Sequence, residues 1–315
     1  MENHDILNIS SSDVQSGFVS DGESNDDLKN TQTYSEQELN DPNSIITTIT
    51  DQRTPLVVLF GARGIGKTVA LIRLTRYLES CGYDVKPDSL FRPAHDIRYK
   101  GLCNHFRDVV YSPTTEGGTG LVNFMLIKVS DRHRTLCQIV EAPGEHYFDE
   151  KDLLRQFPLY LNNIFHMPNR KVWVFIVKKN WGVNPIVKRH LAERIQGLKA
   201  GNGEPMVKPQ DKVVFMCTQV DRRETQVPFL STGYPDIDRL HYDIGSEYQI
   251  AQGRQGTGIF SAYENTHPIS RLWRPHNYLF IPFSAGTFNT ASNGKEYFNP
   301  GSDYYPTILW EAICK

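Results

Sequence analysis

The fold of this chain is decided by one short stretch, Leu56-Val57-Val58-Leu59-Phe60-Gly61-Ala62-Arg63-Gly64-Ile65-Gly66-Lys67-Thr68. The apolar run at its start predicts a buried strand. The residues after Lys67 predict a helix, because Leu71, Leu74 and Leu78 recur at helical spacing. The loop between them fits the pattern G-x-x-x-x-G-K-[ST], in the strand-to-helix context that this pattern requires.

A loop of this type has the chemistry to bind phosphate. Its glycines let backbone N–H groups turn inward into an anion nest, and the helix that follows adds the positive end of its dipole. Lys67 would reach the β- and γ-phosphates, and the Thr68 hydroxyl would ligate Mg²⁺. The pattern leaves the base and the reaction open. We predict that the phosphates contact Gly61, Arg63, Gly64, Ile65, Gly66, Lys67 and Thr68.

From Leu56 onward, short apolar runs alternate with helical stretches, which predicts an α/β fold with a mostly parallel, doubly wound sheet. One pair of runs, 121–129 and 136–142, flanks a polar turn and predicts a hairpin with one antiparallel edge strand. Residues 222–276 fit the alternation poorly. We predict that they form an insertion between the last two strands of a domain spanning residues 54–315.

Residues 1–53 differ in composition from the rest of the chain. They hold eleven acidic and two basic residues, a net charge of −9, whereas the remainder carries +7. Residues 1–43 nearly lack large apolar side chains, so they cannot bury enough surface to offset the entropy lost on ordering. We predict a disordered acidic tail and linker over 1–53, which either solubilises the chain or tethers it to a partner or to its own basic body.

Four further motifs follow in order along the chain. They are Tyr111-Ser112-Pro113-Thr114-Thr115-Glu116, Glu141-Ala142-Pro143-Gly144, Thr218-Gln219-Val220-Asp221 and Ser284-Ala285-Gly286. Each is weak alone, since such turns and caps are common. The last three, however, fall at the carboxyl ends of predicted strands, which is where an open parallel sheet binds its ligand.

With these motifs, the chain resembles the GTPases of the Ras-like, translation-factor-related class of P-loop proteins. The resemblance implies a G domain, GTP or GDP and Mg²⁺ as ligands, and hydrolysis of GTP to GDP and phosphate. In size and motif drift the chain is also similar to large single-domain bacterial GTPases of multi-gene signalling or defence systems.

The resemblance also implies roles on the metal side of the site. Thr114 would ligate Mg²⁺ and sense the γ-phosphate, with Thr115 as the alternative. Glu141 stands where the class has aspartate and would contact Mg²⁺ through water. The Gly144 N–H would donate to the γ-phosphate.

On the base side, the resemblance implies that Asp221 accepts hydrogen bonds from the guanine N1–H and amino group. Thr218 and Gln219 replace an asparagine and a lysine of the class, and the backbone at Ser284 and Ala285 would meet guanine O6. A carboxylate complements the two donors of guanine, whereas adenine offers an acceptor there.

Three residues are candidates for catalysis: Arg63, Thr114 and Glu145. Arg63 could stabilise transferred charge, could obstruct an arginine supplied by a partner, or could point to solvent. Glu145, or His146 beside it, could orient water or lack a catalytic role. An anionic Glu145 near the γ-phosphate favours slow or partner-stimulated turnover.

Other features limit the remaining function classes. The chain has no apolar run of the roughly 18–20 residues that span a bilayer, and its five cysteines form no C-x-x-C pair, so we expect a cytoplasmic protein with free thiols. We expect a protein effector or activator and no nucleic-acid partner. The leading expectation is a GTP-binding molecular switch, and the alternatives are an ATPase or nucleotide kinase and a non-hydrolysing module that binds nucleotide structurally.

Overall fold

The computed structural model describes residues 36–112, 124–178, 185–200, 205–218, 258–269, 272–273, 276–290 and 296–314. A seven-stranded sheet forms the centre of the described structure. Its strands are β1 (Leu56–Phe60), β2 (Asp84–Pro87), β3 (Met125–Ser130), β4 (Thr135–Glu141), β5 (Lys171–Lys178), β6 (Lys212–Thr218) and β7 (Leu279–Phe283).

The strand order is β2-β3-β4-β1-β5-β6-β7. Strands β4, β1, β5, β6 and β7 are parallel to their neighbours in that series, and β3 is antiparallel to both β2 and β4. This confirms the predicted mostly parallel α/β sheet and its antiparallel hairpin. The carboxyl ends of five strands therefore meet at one edge of the sheet, the edge where such folds bind ligands.

The described helices are α1 (Glu36–Asn40), α2 (Lys67–Ser80), α3 (Ile97–Asn104), α4 (Phe106–Val110), α5 (Gly144–Tyr147), α6 (Leu159–His166), α7 (Pro185–Ala200), α8 (Gly258–Ser261) and α9 (Tyr304–Cys314). Helix α2 buries Leu71, Leu74 and Leu78, the predicted apolar stripe. Helix α9 packs against α2 and β7, and α8 packs against α7. All of β1 is buried, because both faces of the sheet are covered there. Within the described ranges, none of these helices is long and apolar enough to cross a membrane.

Two pairings go beyond the predicted sheet. Strand β2 lies outside β3, so β2 and not the predicted hairpin strand forms this edge. Its four residues have one buried apolar side chain, Val85, which is too little pattern for a strand prediction. The second pairing is an antiparallel hairpin of β8 (Gly286–Thr290) and β9 (Glu296–Pro300), which begins within the predicted Ser-Ala-Gly turn.

Part of the predicted insertion, residues 222–276, lies outside the described residues. Within it, Ile259, Phe260 and Tyr263 are buried. The Phe260 and Tyr263 rings pack against Phe215 of β6, with centroid distances of 4.7 and 5.9 Å. These residues belong to the core, while the domain boundaries themselves stay predictions.

The predicted tail and linker, 1–53, is described from residue 36, and this part packs on the body. Ile45 and Ile49 are 4% and 5% exposed. The Thr48 N–H donates to the Phe91 carbonyl at 2.8 Å, and Glu38 forms an ion pair with the buried Arg92. The apolar contact with the body therefore comes from residues 45–49, a run of β-branched residues within a polar stretch.

Residues 36–49 should stabilise the fold. A chain that starts at residue 50 should have a lower free energy of unfolding than one that starts at residue 36, by on the order of 3 kcal/mol, because two buried isoleucines are removed and Arg92 loses a partner. Urea denaturation of the two shortened chains measures the difference. Equal midpoints and slopes would contradict the packing described above.

Candidate nucleotide-binding site

The loop after β1 has the backbone that its glycines predict. Gly64 and Gly66 have φ values of 70° and 96°, in the left-handed region that other residues rarely adopt. Gly66 caps helix α2, which begins at Lys67. The glycine cap makes no side-chain hydrogen bond to the first turn of α2, and the helix dipole at this end favours an anion.

Lys67 presents a buried positive charge at this helix N-terminus. Its side chain is 6% exposed, and its Nζ donates to the Ala62 carbonyl at 3.3 Å. Burial lowers the pKa of Lys67, while the nearby carboxylates of Glu141 and Glu145 raise it. A buried ammonium whose acceptor among the described residues is a neutral carbonyl is well placed to gain from an anionic ligand.

Glu141, at the end of β4, joins two other segments. Its Oε1 accepts from the Thr68 hydroxyl at 2.9 Å, and its Oε2 accepts from the Phe124 N–H at 2.9 Å. The side chain is 1% exposed, and this burial raises its pKa, while Lys67 and the two hydrogen bonds lower it. Both carboxylate oxygens are therefore engaged.

The pair formed by Thr68 and Glu141 suits Mg²⁺. Mg²⁺ prefers oxygen ligands and is commonly held by one or two carboxylates together with substrate phosphates and water, rather than by a full protein cage. Among the described residues there is no group of three or more His, Cys, Asp or Glu that could hold a metal. A hydroxyl and a carboxylate 2.9 Å apart, beside the loop 61–66 that follows β1 (the phosphate loop), fit the shared arrangement.

Gly144 lies directly against the phosphate loop. A Cβ atom there would stand 2.3 Å from the Arg63 nitrogen and 2.5 Å from the Ala62 oxygen, which is far inside contact distance. Only glycine fits this position. The backbone of α5 thus abuts the loop at the place where the sequence predicts a contact to the γ-phosphate.

Side chains of α6 and α7 hold the rest of α5 in place. His146 Nδ1 shares a 2.7 Å hydrogen bond with the Tyr160 hydroxyl. Arg194 of α7 donates to the Tyr147 carbonyl at 2.6 Å and stacks on Phe157, with 4.2 Å between guanidinium and ring centre. Arg194 is thus a packing residue that supports α5.

Burial lowers the pKa of His146 to about 4, although nearby Glu145 raises it. The imidazole is therefore neutral at pH 7. Glu145 itself is partly exposed, and its charge also acts on Lys67 and Glu141. An acidic side chain consequently stands close to the predicted phosphate position.

The predicted base side of the site lies at the ends of β6 and β7. Thr218, the last residue of β6, pairs in register with Phe283, the last residue of β7, so Ser284 directly follows the neighbouring strand end. The buried Thr218 hydroxyl donates to the Ile65 carbonyl at 3.0 Å, which ties β6 to the phosphate loop. Ser284 Oγ accepts from the Gly286 N–H at 3.2 Å. Ala285 lies between them and is partly buried.

The structure therefore brings most of the predicted site together. Arg63 is exposed on the loop, and Ile65 is buried beneath it. Thr114, Gln219 and Asp221 lie outside the described residues. Sequence reasoning missed Phe124 and Tyr160, which contact Glu141 and His146, because neither stands in a motif.

Comparisons with known proteins add little. No family model and no curated protein matches the chain. Similar solved structures include a putative nucleolar GTP-binding protein 1 from Plasmodium falciparum, with 11% identity, coverage of 76% of this chain and 80% of that chain, and a TM-score of 0.35. The S. cerevisiae Ski7 GTPase-like domain, bound to GDP and inorganic phosphate, has 12% identity, coverage of 83% and 49%, and a TM-score of 0.39.

A septin GTPase domain from Chlamydomonas reinhardtii has 14% identity, coverage of 83% of this chain and 90% of that chain, and a TM-score of 0.27. The chain spans about half of the Ski7 chain, by the 49% coverage given above. TM-scores this low support no conclusion. The fold rests on the strand order, and the site rests on its own geometry.

Gly144→Ala should disturb the phosphate loop and weaken nucleotide binding by about tenfold or more, because displacing a binding loop by about 1 Å is costly. Titration with a fluorescent nucleoside triphosphate measures this. Gly197→Ala is the matched control, since a Cβ in that helical position meets nothing within 4 Å. Equal affinities for the two variants would show that α5 does not abut the loop.

The low pKa of His146 predicts a pH dependence of stability. In the folded protein His146 titrates near pH 4, and in the unfolded chain near 6.5. The unfolded state thus binds the extra proton first, and stability falls as the pH drops from 6.5 toward 4, by about 3 kcal/mol from this group. His146→Gln should remove that part of the slope. Parallel unfolding profiles against pH for the two proteins would contradict the prediction.

Proposed function

We propose that this chain binds GTP together with Mg²⁺ and hydrolyses GTP slowly or with help from a partner. The observation that carries the proposal is the grouping of Lys67, Thr68 and Glu141 at the carboxyl edge of the parallel strands. A buried ammonium at a helix N-terminus attracts a polyphosphate. A hydroxyl–carboxylate pair next to it suits the cation that accompanies such a ligand.

In the proposed complex each residue has a separate task. Lys67 would exchange its contact with the Ala62 carbonyl for phosphate oxygens. The Thr68 hydroxyl and Glu141 would hold Mg²⁺, with Thr114 as a further ligand, and the Gly144 N–H would donate to the γ-phosphate. Bound Mg²⁺ neutralises charge on the transferred phosphoryl group.

The choice of guanine is the finer part of the proposal. It rests on the resemblance at Asp221, which would follow β6 and accept from the guanine edge. Support comes from the neighbouring strand ends at Thr218 and Ser284, since these put the two proposed base-side loops together. The Thr218 hydroxyl is already bonded to Ile65, so we assign Thr218 to holding the loops rather than to reading the base.

Slow unaided turnover is supported by charge. Glu145 raises the pKa values of Lys67, Glu141 and His146, which supports a position of its carboxylate near the proposed γ-phosphate. A carboxylate there repels the anionic phosphoryl group, where a neutral amide would not. Arg63 is exposed. Its two proposed roles are to stabilise charge on the transferred phosphoryl group or to obstruct an arginine supplied by a partner.

Two other functions would use the same phosphate site. An ATPase or nucleotide kinase would prefer ATP, and a non-hydrolysing module would bind GTP without cleaving it. A protein effector that contacts residues 222–276, a cytoplasmic location and a role in a bacterial multi-gene signalling or defence system rest on composition and resemblance and stay proposals.

A pair of substitutions at Thr68 tests the proposal. Thr68→Val keeps the shape of the side chain but removes the hydroxyl, so it should lower GTP affinity in Mg²⁺ by about tenfold or more. The GTP affinity of this variant should therefore differ little between a buffer with Mg²⁺ and one in which a chelator removes it. Thr68→Ser, the matched control, keeps the hydroxyl and should stay close to wild type.

Isothermal titration calorimetry measures these GTP affinities. The same titrations with ATP separate a GTP-binding protein from an ATPase or nucleotide kinase. Tighter binding of ATP than of GTP by the wild type would contradict the guanine assignment. Equal behaviour of Thr68→Val and Thr68→Ser would contradict the metal assignment. Single-turnover assays at saturating GTP and Mg²⁺ distinguish a slow GTPase from a non-hydrolysing module.

A further inference from the structure

Arg73, in the second turn of α2, is a buried cation that belongs to none of the sequence motifs. It is 4% exposed. Its Nη2 donates to the Gly301 carbonyl at 2.8 Å and to the Asp303 carboxylate at 2.6 Å. Both partners lie in the short segment between β9 and α9. The guanidinium therefore joins α2 to a part of the chain that is distant in sequence.

The ion pair with Asp303 does not explain why an arginine stands here. The Asp303 side chain is 69% exposed, and an ion pair with a solvated partner contributes little to stability. Arg73 Nε is buried and has no hydrogen-bond partner in the part of the chain that the structure describes. Since burying a charge is costly, an apolar side chain would pack here at a lower cost. What the arginine adds is a fixed position for the Gly301 carbonyl.

The segment that Arg73 holds lies tightly against Gly286, the first residue of β8. A Cβ atom at Gly286 would stand 2.2 Å from the Asn299 oxygen and 2.7 Å from the Gly301 nitrogen. The φ of Gly286 is 127°, in a region that residues with a side chain rarely adopt. Because this contact is closely packed, a shift of Gly301 has to move Gly286 as well.

Gly286 is in turn bonded to the proposed base-side loop. Its N–H donates to the Oγ of the buried Ser284 at 3.2 Å. Ser284 and Ala285 are the residues whose backbone is proposed to meet guanine O6. A continuous series of contacts thus runs from Arg73 through Gly301 and Gly286 to this loop.

Helix α2 consequently carries two parts of the candidate site. Lys67 and Thr68 stand at its N-terminus, beside the proposed phosphates, and Arg73 lies about 9 Å further along the helix axis. An internally hydrogen-bonded helix keeps this spacing constant. A backbone donor can select one base over another only if it is held at a fixed place relative to the phosphates.

We propose that Arg73 is a positioning residue for base selection, which holds the Ser284–Gly286 loop in place relative to the phosphate loop. This inference rests on the proposed GTP-binding function, and it assigns Arg73 no contact with the nucleotide. The proposed donor, the Ala285 N–H, suits guanine O6, whereas adenine has an amino group at that position. The effect should therefore appear in the preference for GTP over ATP, rather than in the affinity for every triphosphate.

Arg73→Met tests the assignment, because methionine is a long flexible side chain without a donor. We expect the ratio of GTP affinity to ATP affinity in Mg²⁺ to fall about tenfold, the scale of one misplaced hydrogen bond, with the ATP affinity close to wild type. Arg73→Lys, which keeps a donor on a shorter side chain, should recover part of the ratio. Displacement of a fluorescent nucleoside triphosphate measures both affinities.

Lys171→Met is the matched control. It removes another buried cation, whose Nζ donates to the carbonyls of Met167 and Asn169 beside the amino end of β5. This variant should keep the wild-type ratio. Equal losses of GTP and ATP affinity in Arg73→Met would overturn the assignment, because they would show general damage to α2. A wild-type ratio in Arg73→Met would overturn it as well.

Gly286→Ala changes the same contact from its other end, because the added Cβ would displace Gly301. It should lower the GTP-to-ATP ratio, and the double variant with Arg73→Met should lose no more than the larger single loss. Gly82→Ala is its control, since Gly82 also has a positive φ, of 85°, but a Cβ there meets nothing within 4 Å. Additive losses would overturn the assignment.

Circular dichroism of each variant confirms that the fold is retained before the ratios are compared. If Arg73→Met does not fold, Arg73→Lys and Gly286→Ala carry the same test. Failure of the wild type to bind GTP, or tighter binding of ATP, is a different result, because it would overturn the proposed function and with it this inference.

Discussion

The described structure around the phosphate loop depends on one buried carboxylate. Glu141 ends β4 and holds the start of α2 through the Thr68 hydroxyl and the residue before β3 through the Phe124 N–H. Burying a carboxylate is costly unless both of its oxygens accept hydrogen bonds. The two segments are therefore held in the one arrangement in which each of them donates to an oxygen of Glu141. Glutamate is one methylene longer than aspartate, and here its two oxygens reach two separate segments.

This arrangement extends beyond the phosphate loop. Phe124 leads to Tyr160, and Tyr160 leads to His146 of α5. The N-terminal residues 38–49 take part as well, through Asn43 at the start of α6 and through Glu38 on Arg92. A polyphosphate bound at Lys67 would therefore act on a packed network of side chains rather than on a loop alone.

The parts that the sequence predicted are those with a local cause. The phosphate loop needs left-handed backbone at Gly64 and Gly66, and the motif records that need directly. Helix α2 shows its apolar stripe in its own residues. By contrast, β2 has one inward apolar side chain, and its pairing with β3 depends on residues 40 positions or more away.

The missed parts of the site have long-range causes too. In the sequence, Tyr160 and Phe124 look like ordinary aromatic residues of a core. Only their hydrogen bonds to His146 and Glu141 connect them to the candidate site. The sequence does not predict that residues 36–49 pack on the body, because only two buried isoleucines make most of the apolar contact and the residues around them are polar. No local pattern reports which partner such residues will meet.

The central claim is that Lys67, Thr68 and Glu141 hold a guanine nucleotide. It is tested most directly by identifying the nucleotide that the purified wild-type protein carries or takes up. After incubation with equal amounts of GTP and ATP in Mg²⁺ and removal of free nucleotide, mass spectrometry of the denatured sample should find GTP or GDP. Recovery of adenine nucleotide, or of none, would contradict the claim.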